Sequence, residues 1–95
     1  ITFGEILSVD SEKYEVEADG ARVQLTSTEF KILHFLMSRQ GRVFSREQIL
    51  DHLLGNEKIV IDRTIDVHIK DLREKLGIAG KFIKNIRGIG YKFGE

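Results

Sequence analysis

A single stretch decides how this 95-residue chain folds: Arg63-Thr-Ile-Asp-Val-His-Ile-Lys-Asp-Leu-Arg-Glu-Lys-Leu76, followed by Gly77. Apolar residues recur in it at i, i+4, i+7 and i+11, which is the spacing of one helix face. They are Ile65, Ile69, Leu72 and Leu76. The spacing predicts a helix with one side buried in a core. We expect Gly77 to end it, because glycine tolerates a left-handed conformation, and Asp62 to cap its start.

The opposite face of this predicted helix carries side chains that bond phosphates and base edges. An outward valine can also touch a thymine methyl group in the major groove. The candidate DNA contacts on this helix are Arg63, Thr64, Val67, His68, Lys70, Asp71 and Arg73. The pattern therefore predicts a recognition helix.

Other interpretations of the same residues stay open. The pairs Lys70–Glu74 and Asp71–Lys75 have the i, i+4 spacing of ion pairs that merely support a surface helix. Arg73 is expected either to reach a phosphate or to pair internally with an acid. Asp66 is expected to orient Arg63 or nearby backbone.

Residues 1–24 alternate apolar with polar residues between turn residues, which predicts a small antiparallel sheet. Asp19-Gly20 is a two-residue hairpin signal. This segment carries six acidic and two basic residues, a net charge of −4, whereas residues 63–93 carry eight basic and three acidic residues, a net charge of +5. A polyanion would therefore meet the C-terminal third, although the whole chain is neutral.

Two capping boxes mark further helices. Thr26-Ser-Thr-Glu29 opens one that is expected to end near Arg39-Gln40, with Gly41 after it. Ser45-Arg-Glu-Gln48 opens a shorter one that Gly55-Asn56 stops. Residues 26–77 are thus expected to form a three-helix core.

Residues 82–93 read as two strands around a Gly-Ile-Gly bend, a C-terminal β-hairpin. Arg87 is expected to probe the minor groove, and Asn85 and Tyr91 to bond phosphate, with core packing the alternative for Tyr91. The predicted fold is α+β: a winged helix-turn-helix in one domain, residues 1–95, with an N-terminal four-stranded antiparallel sheet, three helices and a C-terminal hairpin wing.

Composition excludes several classes of protein. The chain has no cysteine, so it has neither a disulfide framework nor a thiolate metal site. It has no apolar run long enough for a membrane span. No catalytic set, metal spacing or phosphate loop emerges, so neither an enzyme nor a cofactor is expected. The chain starts in strand-like sequence without a methionine, so we expect it to be part of a longer protein.

Five segments in register resemble the C-terminal effector domain of OmpR/PhoB-type bacterial response regulators. They are Leu25-Thr-Ser-Thr-Glu-Phe30, Gly41-Arg-Val-Phe-Ser-Arg46, Arg63-Thr-Ile-Asp-Val-His-Ile69, Leu72-Arg-Glu-Lys-Leu76 and Ile86-Arg-Gly-Ile-Gly-Tyr91. Two positions depart from the family pattern. Leu54 stands where a tryptophan is common, and Asp71 where some members present an arginine to guanine.

The resemblance implies several partners. They are double-stranded promoter DNA with direct repeats, a second copy in a head-to-tail dimer, and an N-terminal receiver domain that is absent here and is controlled by phosphorylation in a two-component phosphorelay. It also implies a cytoplasmic protein and a loop that touches RNA polymerase, whose candidate residues are Gly55, Asn56, Glu57 and Lys58.

Two functional hypotheses follow. The first is a sequence-specific DNA-binding domain that controls transcription. The second is a winged-helix module for protein–protein interaction, which Asp71, Glu74 and the neutral total charge favour.

Overall fold

The fold was taken from a computed structural model, which describes residues 1–54 and 63–95, and only the backbone of Leu54, Arg63 and Thr64. The expected cap Asp62 and the expected loop 55–61 lie outside these residues. In chain order the elements are β1 (Thr2–Phe3), β2 (Leu7–Asp10), β3 (Glu15–Ala18), β4 (Ala21–Val23), α1 (Ser27–Met37), α2 (Arg46–Leu54), α3 (Arg63–Leu76), a 3-10 turn (Gly77–Phe82), β5 (Ile83–Ile86) and β6 (Gly90–Phe93). The predicted order of sheet, three helices and hairpin is confirmed.

Strands β1 to β4 form one antiparallel sheet in sequential order. In β2 and β3 the apolar residues point into the core and alternate with exposed polar residues such as Glu17. Asp19 and Gly20 join β3 to β4 with φ values of +52° and +81°. Positive φ at both central residues is the type I′ turn that Asp-Gly predicts.

Both predicted capping boxes are present. At α1 the Thr26 hydroxyl accepts a hydrogen bond from the Glu29 amide (3.1 Å), and Glu29 Oε1 accepts one from the Thr26 amide (3.0 Å). At α2 the Ser45 hydroxyl and the Gln48 side chain make the same exchange, at 3.1 and 2.8 Å. These bonds satisfy amides that the first turn of a helix leaves without partners.

The first helix ends earlier than the sequence predicts. Met37 is its last residue and Ser38 caps it, the Ser38 amide donating to the His34 carbonyl. Gly41 does have the expected positive φ, +84°, but it lies in the following turn, where its amide donates to the Phe93 carbonyl at 2.8 Å. The glycine therefore joins this turn to the C-terminal hairpin and does not end α1.

The hairpin β5–β6 is extended by a third segment. Phe44 pairs with Tyr91 through two backbone hydrogen bonds of 2.8 and 2.9 Å. At Gly90 this pairing is so close that an added Cβ would lie 1.9 Å from the Phe44 carbonyl oxygen. The first strand of the hairpin, β5, begins at Ile83, one residue later than expected, because Phe82 belongs to the 3-10 turn.

Candidate nucleic-acid interface

Helix α3 has one face in the core and one face open. Ile65, Ile69 and Leu72 are fully buried, and Leu76 is nearly so, as the apolar spacing predicts. Gly77 ends the helix with a φ of +62°. The long apolar stripe therefore fixes which residues of α3 face solvent.

On the open face Val67 is 56% exposed, and Lys70 and Glu74 are exposed as well. His68 and Asp71 are half-buried on its edges. An exposed valine at this position can contact a thymine methyl group in the major groove. No other part of the described chain covers this face at Val67 or Lys70.

The expected ion pairs along α3 do not form. Lys75 Nζ donates instead to Oε1 of Glu29, at 2.8 Å, and so links the end of α3 to the start of α1. Within residues 1–54 and 63–95, Lys70 and Glu74 have no ion-pair partner. The Lys70 side chain is exposed on the open face.

For several residues predicted to contact DNA or RNA polymerase, the structure describes no side chain. The side chains of Arg63 and Thr64 are not described, although both residues begin α3. The same holds for the proposed polymerase contact, because its residues Gly55, Asn56, Glu57 and Lys58 lie outside the described part of the chain. The side chain of Leu54, where the sequence departs from the family pattern, is not described either. These predictions stay predictions.

The tip of the hairpin is a tight turn from Ile86 to Ile89. The Ile89 amide donates to the Ile86 carbonyl at 2.9 Å, and Gly88 has a φ of +77°, as the third position of a type II turn requires. Arg87 and Asn85 are exposed on this hairpin, and Ile89 is 58% exposed. The wing thus presents a cation and an apolar side chain together.

Two of the predicted DNA contacts have internal partners. The Tyr91 ring is 3% exposed, and its hydroxyl donates to Oδ1 of Asp66 at 2.5 Å. Arg73 Nε donates to the carbonyl of Ile83 at 2.9 Å, so its internal partner is backbone and not the acid that the sequence suggested. The geometry favours core packing for Tyr91 and leaves DNA contact by either residue as a prediction.

Asp66 also accepts a hydrogen bond from Arg46 Nε at 2.7 Å. Burial alone would raise the pKa of Asp66, but the bonds from Tyr91 and Arg46 outweigh it and hold the pKa below 3.8. Burial and the bond to Asp66 raise the pKa of Tyr91 above 10.0. Sequence reasoning missed the Arg46–Asp66 contact, because 20 residues separate the two and no local pattern joins them.

Neither a metal site nor a membrane-spanning helix is found in the described part of the chain. No three His, Cys, Asp or Glu residues there come together as metal ligands. None of the described helices has both the length and the apolar character that crossing a membrane requires.

Comparison with known proteins gives one family. The family model described as "Transcriptional regulatory protein, C terminal" matches residues 20–93 of this chain. The phosphate regulon transcriptional regulatory protein PhoB of Escherichia coli (strain K12) is 44% identical over 89 residues, which are 92% of this chain and 39% of that protein. The chain thus spans about two fifths of PhoB.

Solved structures agree in fold. The DNA-binding domain of RstA from Klebsiella pneumoniae, crystallised in complex with the RstA box, has a TM-score of 0.85 and 34% identity, covering 99% of this chain and 95% of that one. The response regulator DrrB, an OmpR/PhoB homologue from Thermotoga maritima, has a TM-score of 0.86 and 34% identity, covering 100% and 44%. The predicted winged-helix fold is confirmed.

Proposed function

The chain belongs to the family of transcriptional regulatory protein C-terminal domains of the OmpR/PhoB type, and from this membership we propose that it binds double-stranded DNA as the effector domain of a response regulator. Helix α3 enters the major groove and the hairpin β5–β6 lies in the adjacent minor groove. The open face of α3, with Val67 and Lys70 uncovered beside a basic hairpin, carries this proposal. The RstA domain, which has the same fold, was crystallised with DNA.

The residues divide by the groups they would contact. Val67, Lys70 and Asp71 face base edges from the centre of α3. A carboxylate such as that of Asp71 can accept from cytosine N4 but cannot bond guanine O6 or N7. Phosphate contacts that set the position on the duplex are assigned to Arg63, Thr64 and His68.

In the wing, Arg87 is assigned to the minor groove and Asn85 to phosphate. Both are exposed on the hairpin. The negative potential of a narrow minor groove attracts arginine, and A·T-rich sequence narrows the groove. Arg73 Nε and the Tyr91 hydroxyl already have partners within the protein, and these two residues contribute to DNA binding mainly through the geometry they stabilise.

The larger setting is inferred from the relatives, of which this chain covers only part. We propose that this chain follows an N-terminal receiver domain, which is controlled by phosphorylation, in a protein of a bacterial two-component system. We also propose that this protein is cytoplasmic, because the bacterial DNA lies there. Head-to-tail pairing on promoter direct repeats and a polymerase contact through Gly55 to Lys58 belong to the same proposal. The family is one of transcriptional regulators, so we assign no catalytic activity and no cofactor.

Salt dependence tests the proposal. A duplex is first selected from a randomised library with the 95-residue chain, and its dissociation constant is then measured between about 50 and 200 mM salt. Contacts with roughly 4–6 phosphates give a slope of log K against log salt of about −4 to −5. Failure to enrich any sequence, or a flat slope on the enriched one, would contradict DNA recognition. No binding to mixed-sequence duplex even at low salt would favour the protein-interaction module.

Arg87→Ala is expected to weaken binding about tenfold on sites with A·T-rich flanks, a change of about 1.4 kcal/mol. The loss should be smaller on G·C-rich flanks, because a wider minor groove attracts the guanidinium less. Binding curves on two duplexes that differ only in the flank measure this difference. Arg22→Ala is the matched control, since it removes the same charge from the acidic sheet and should change neither curve by more than about twofold. Equal losses on both flanks would exclude the minor-groove role.

A further inference from the structure

A polar cluster lies where α2, α3 and the hairpin meet. Its centre is Oδ1 of Asp66, which accepts from Arg46 Nε at 2.7 Å and from the Tyr91 hydroxyl at 2.5 Å. The guanidinium carbons of Arg46 and Arg73 lie 5.4 and 5.6 Å from the centre of the Tyr91 ring. One carboxylate on α3 therefore holds one group from α2 and one from β6.

A second hydrogen bond joins α3 to the hairpin further along the helix. Arg73 Nε donates to the carbonyl of Ile83, the first residue of β5, at 2.9 Å. Asp66 and Arg73 are separated by about two helical turns, or roughly 10 Å along the axis. Two attachments at this separation resist both sliding of the hairpin along α3 and rotation about either attachment.

These bonds are poorly suited to a purely stabilising role. The side chains of Arg46 and Asp66 are 33% and 43% exposed, and ion pairs at such positions add little to global stability. The Tyr91 ring would remain buried without its hydroxyl, because its backbone pairing with Phe44 and its packing do not depend on that group. What these bonds add to that pairing and packing is a direct polar link between α3 and the hairpin.

We propose that Asp66 and Tyr91 are positioning residues that fix the angle between the recognition helix and the wing. Arg46 holds the Asp66 carboxylate and Arg73 provides the second attachment. The proposal rests on the proposed function, in which one element enters the major groove and the other the minor groove. In such a complex the wing contact is made only when the hairpin is held at the right angle.

The first test needs no DNA. Residual dipolar couplings of the free 95-residue chain report the orientation and relative order of α3 and the hairpin. In the unmodified chain one alignment tensor should fit both elements with equal magnitude. In Asp66→Ala and Tyr91→Phe the magnitude for the hairpin should fall to about 0.8 of that for α3 or less, the ratio expected when the squared order parameter drops from about 0.85 to below about 0.6.

Two further variants separate positioning from general damage. Asp66→Asn keeps an acceptor oxygen and should restore most of the hairpin order that Asp66→Ala loses. Arg22→Gln removes a surface contact of 3.6 Å with Glu15 in the N-terminal sheet, which is distant in sequence from the cluster. This control should leave the tensor magnitudes of α3 and the hairpin equal. If one tensor of equal magnitude fits α3 and the hairpin in both Asp66→Ala and Tyr91→Phe, the proposal is overturned.

The second test is a double-mutant cycle on an A·T-flanked duplex. Arg87→Ala should cost about tenfold in affinity in the unmodified chain but at most about threefold in Tyr91→Phe, because a loosely held wing contributes less. A merely structural role would leave the Arg87→Ala effect the same in both backgrounds, and that result would also overturn the proposal. If the unmodified chain binds no duplex, the proposed function fails, and the dipolar couplings alone then decide whether the cluster fixes the angle.

Discussion

Gly90→Ala is expected to lower the free energy of unfolding by about 3 kcal/mol or more, the largest effect of any single methyl group we predict for this domain. The added Cβ would lie 1.9 Å from the Phe44 carbonyl oxygen and 2.8 Å from Ser45 Cα. Both are backbone atoms, so no side-chain rotation relieves the clash. The backbone pair between Phe44 and Tyr91 must separate, and its two hydrogen bonds are lost.

Thermal and urea unfolding measure this effect. A domain of this size loses about 4–8 °C in Tm for each kcal/mol, so a fall of about 12–24 °C is expected. Gly88→Ala in the same hairpin is the control: its φ is +77° but nothing lies within 4 Å of the added Cβ, so only about 1–2 kcal/mol of backbone strain applies. If Gly90→Ala costs no more than Gly88→Ala, the close approach of Phe44 is not a constraint.

Lys75→Met is expected to lower the free energy of unfolding by about 2–3 kcal/mol near neutral pH. The Glu29 side chain is 2% exposed and depends on Lys75 Nζ at 2.8 Å and on the Thr26 amide at 3.0 Å. Removing one partner of a fully buried pair typically costs about 3–5 kcal/mol. The figure is reduced here because the Lys75 side chain is 40% exposed and solvent screens it.

This loss should depend on pH. Burial alone would raise the pKa of Glu29, but the hydrogen bonds from Lys75 and Thr26 outweigh burial, so the pKa lies below its ordinary 4.5. A lowered pKa in the folded state contributes stability above pH 4.5 that disappears as pH falls through the lowered value. Without Lys75 only the Thr26 bonds oppose burial, so the pKa of Glu29 moves up and the variant loses less stability in acid.

Urea unfolding at neutral pH and at about pH 3.5, below the ordinary pKa of a glutamate, should therefore show the gap between Lys75→Met and the unmodified chain shrinking in acid. Lys31→Met is the control, since Lys31 is exposed on α1 and its loss should cost less than about 0.5 kcal/mol. An equal gap at both pH values would mean that the Lys75 methylene chain stabilises the domain and its charge does not.

Local sequence rules predicted most of the fold. The spacing of Ile65, Ile69, Leu72 and Leu76 predicted the buried face of α3, and both capping boxes and the Asp19-Gly20 turn formed as expected. Each depends on residues a few positions apart, which interact whenever the element forms. The rule that a glycine ends a helix failed at Gly41. Helix α1 ends at Met37, and the Gly41 amide instead donates to the Phe93 carbonyl, far away in the sequence.

The polar contacts that join elements were beyond sequence reasoning. The sequence predicts Glu29 as part of a capping box, but Glu29 is also the partner of Lys75, 46 residues away. Asp66 was expected to orient Arg63, whereas its described partners are Arg46 and Tyr91, 20 and 25 residues away. Such pairs are set by how the elements pack, and a single sequence does not encode that packing in any periodic pattern.

The two bonds from α3 to the hairpin, through Asp66 and Arg73, also bear on how quickly complexes form and decay. Because these elements already have one mutual geometry in the free domain, the entropy of ordering them is lost during folding and not on encounter with a duplex. Among related complexes of one interface, affinity differences lie mostly in the dissociation rate, while association rates vary much less. Weak and strong operators for this domain should therefore be distinguished by how long the protein stays bound.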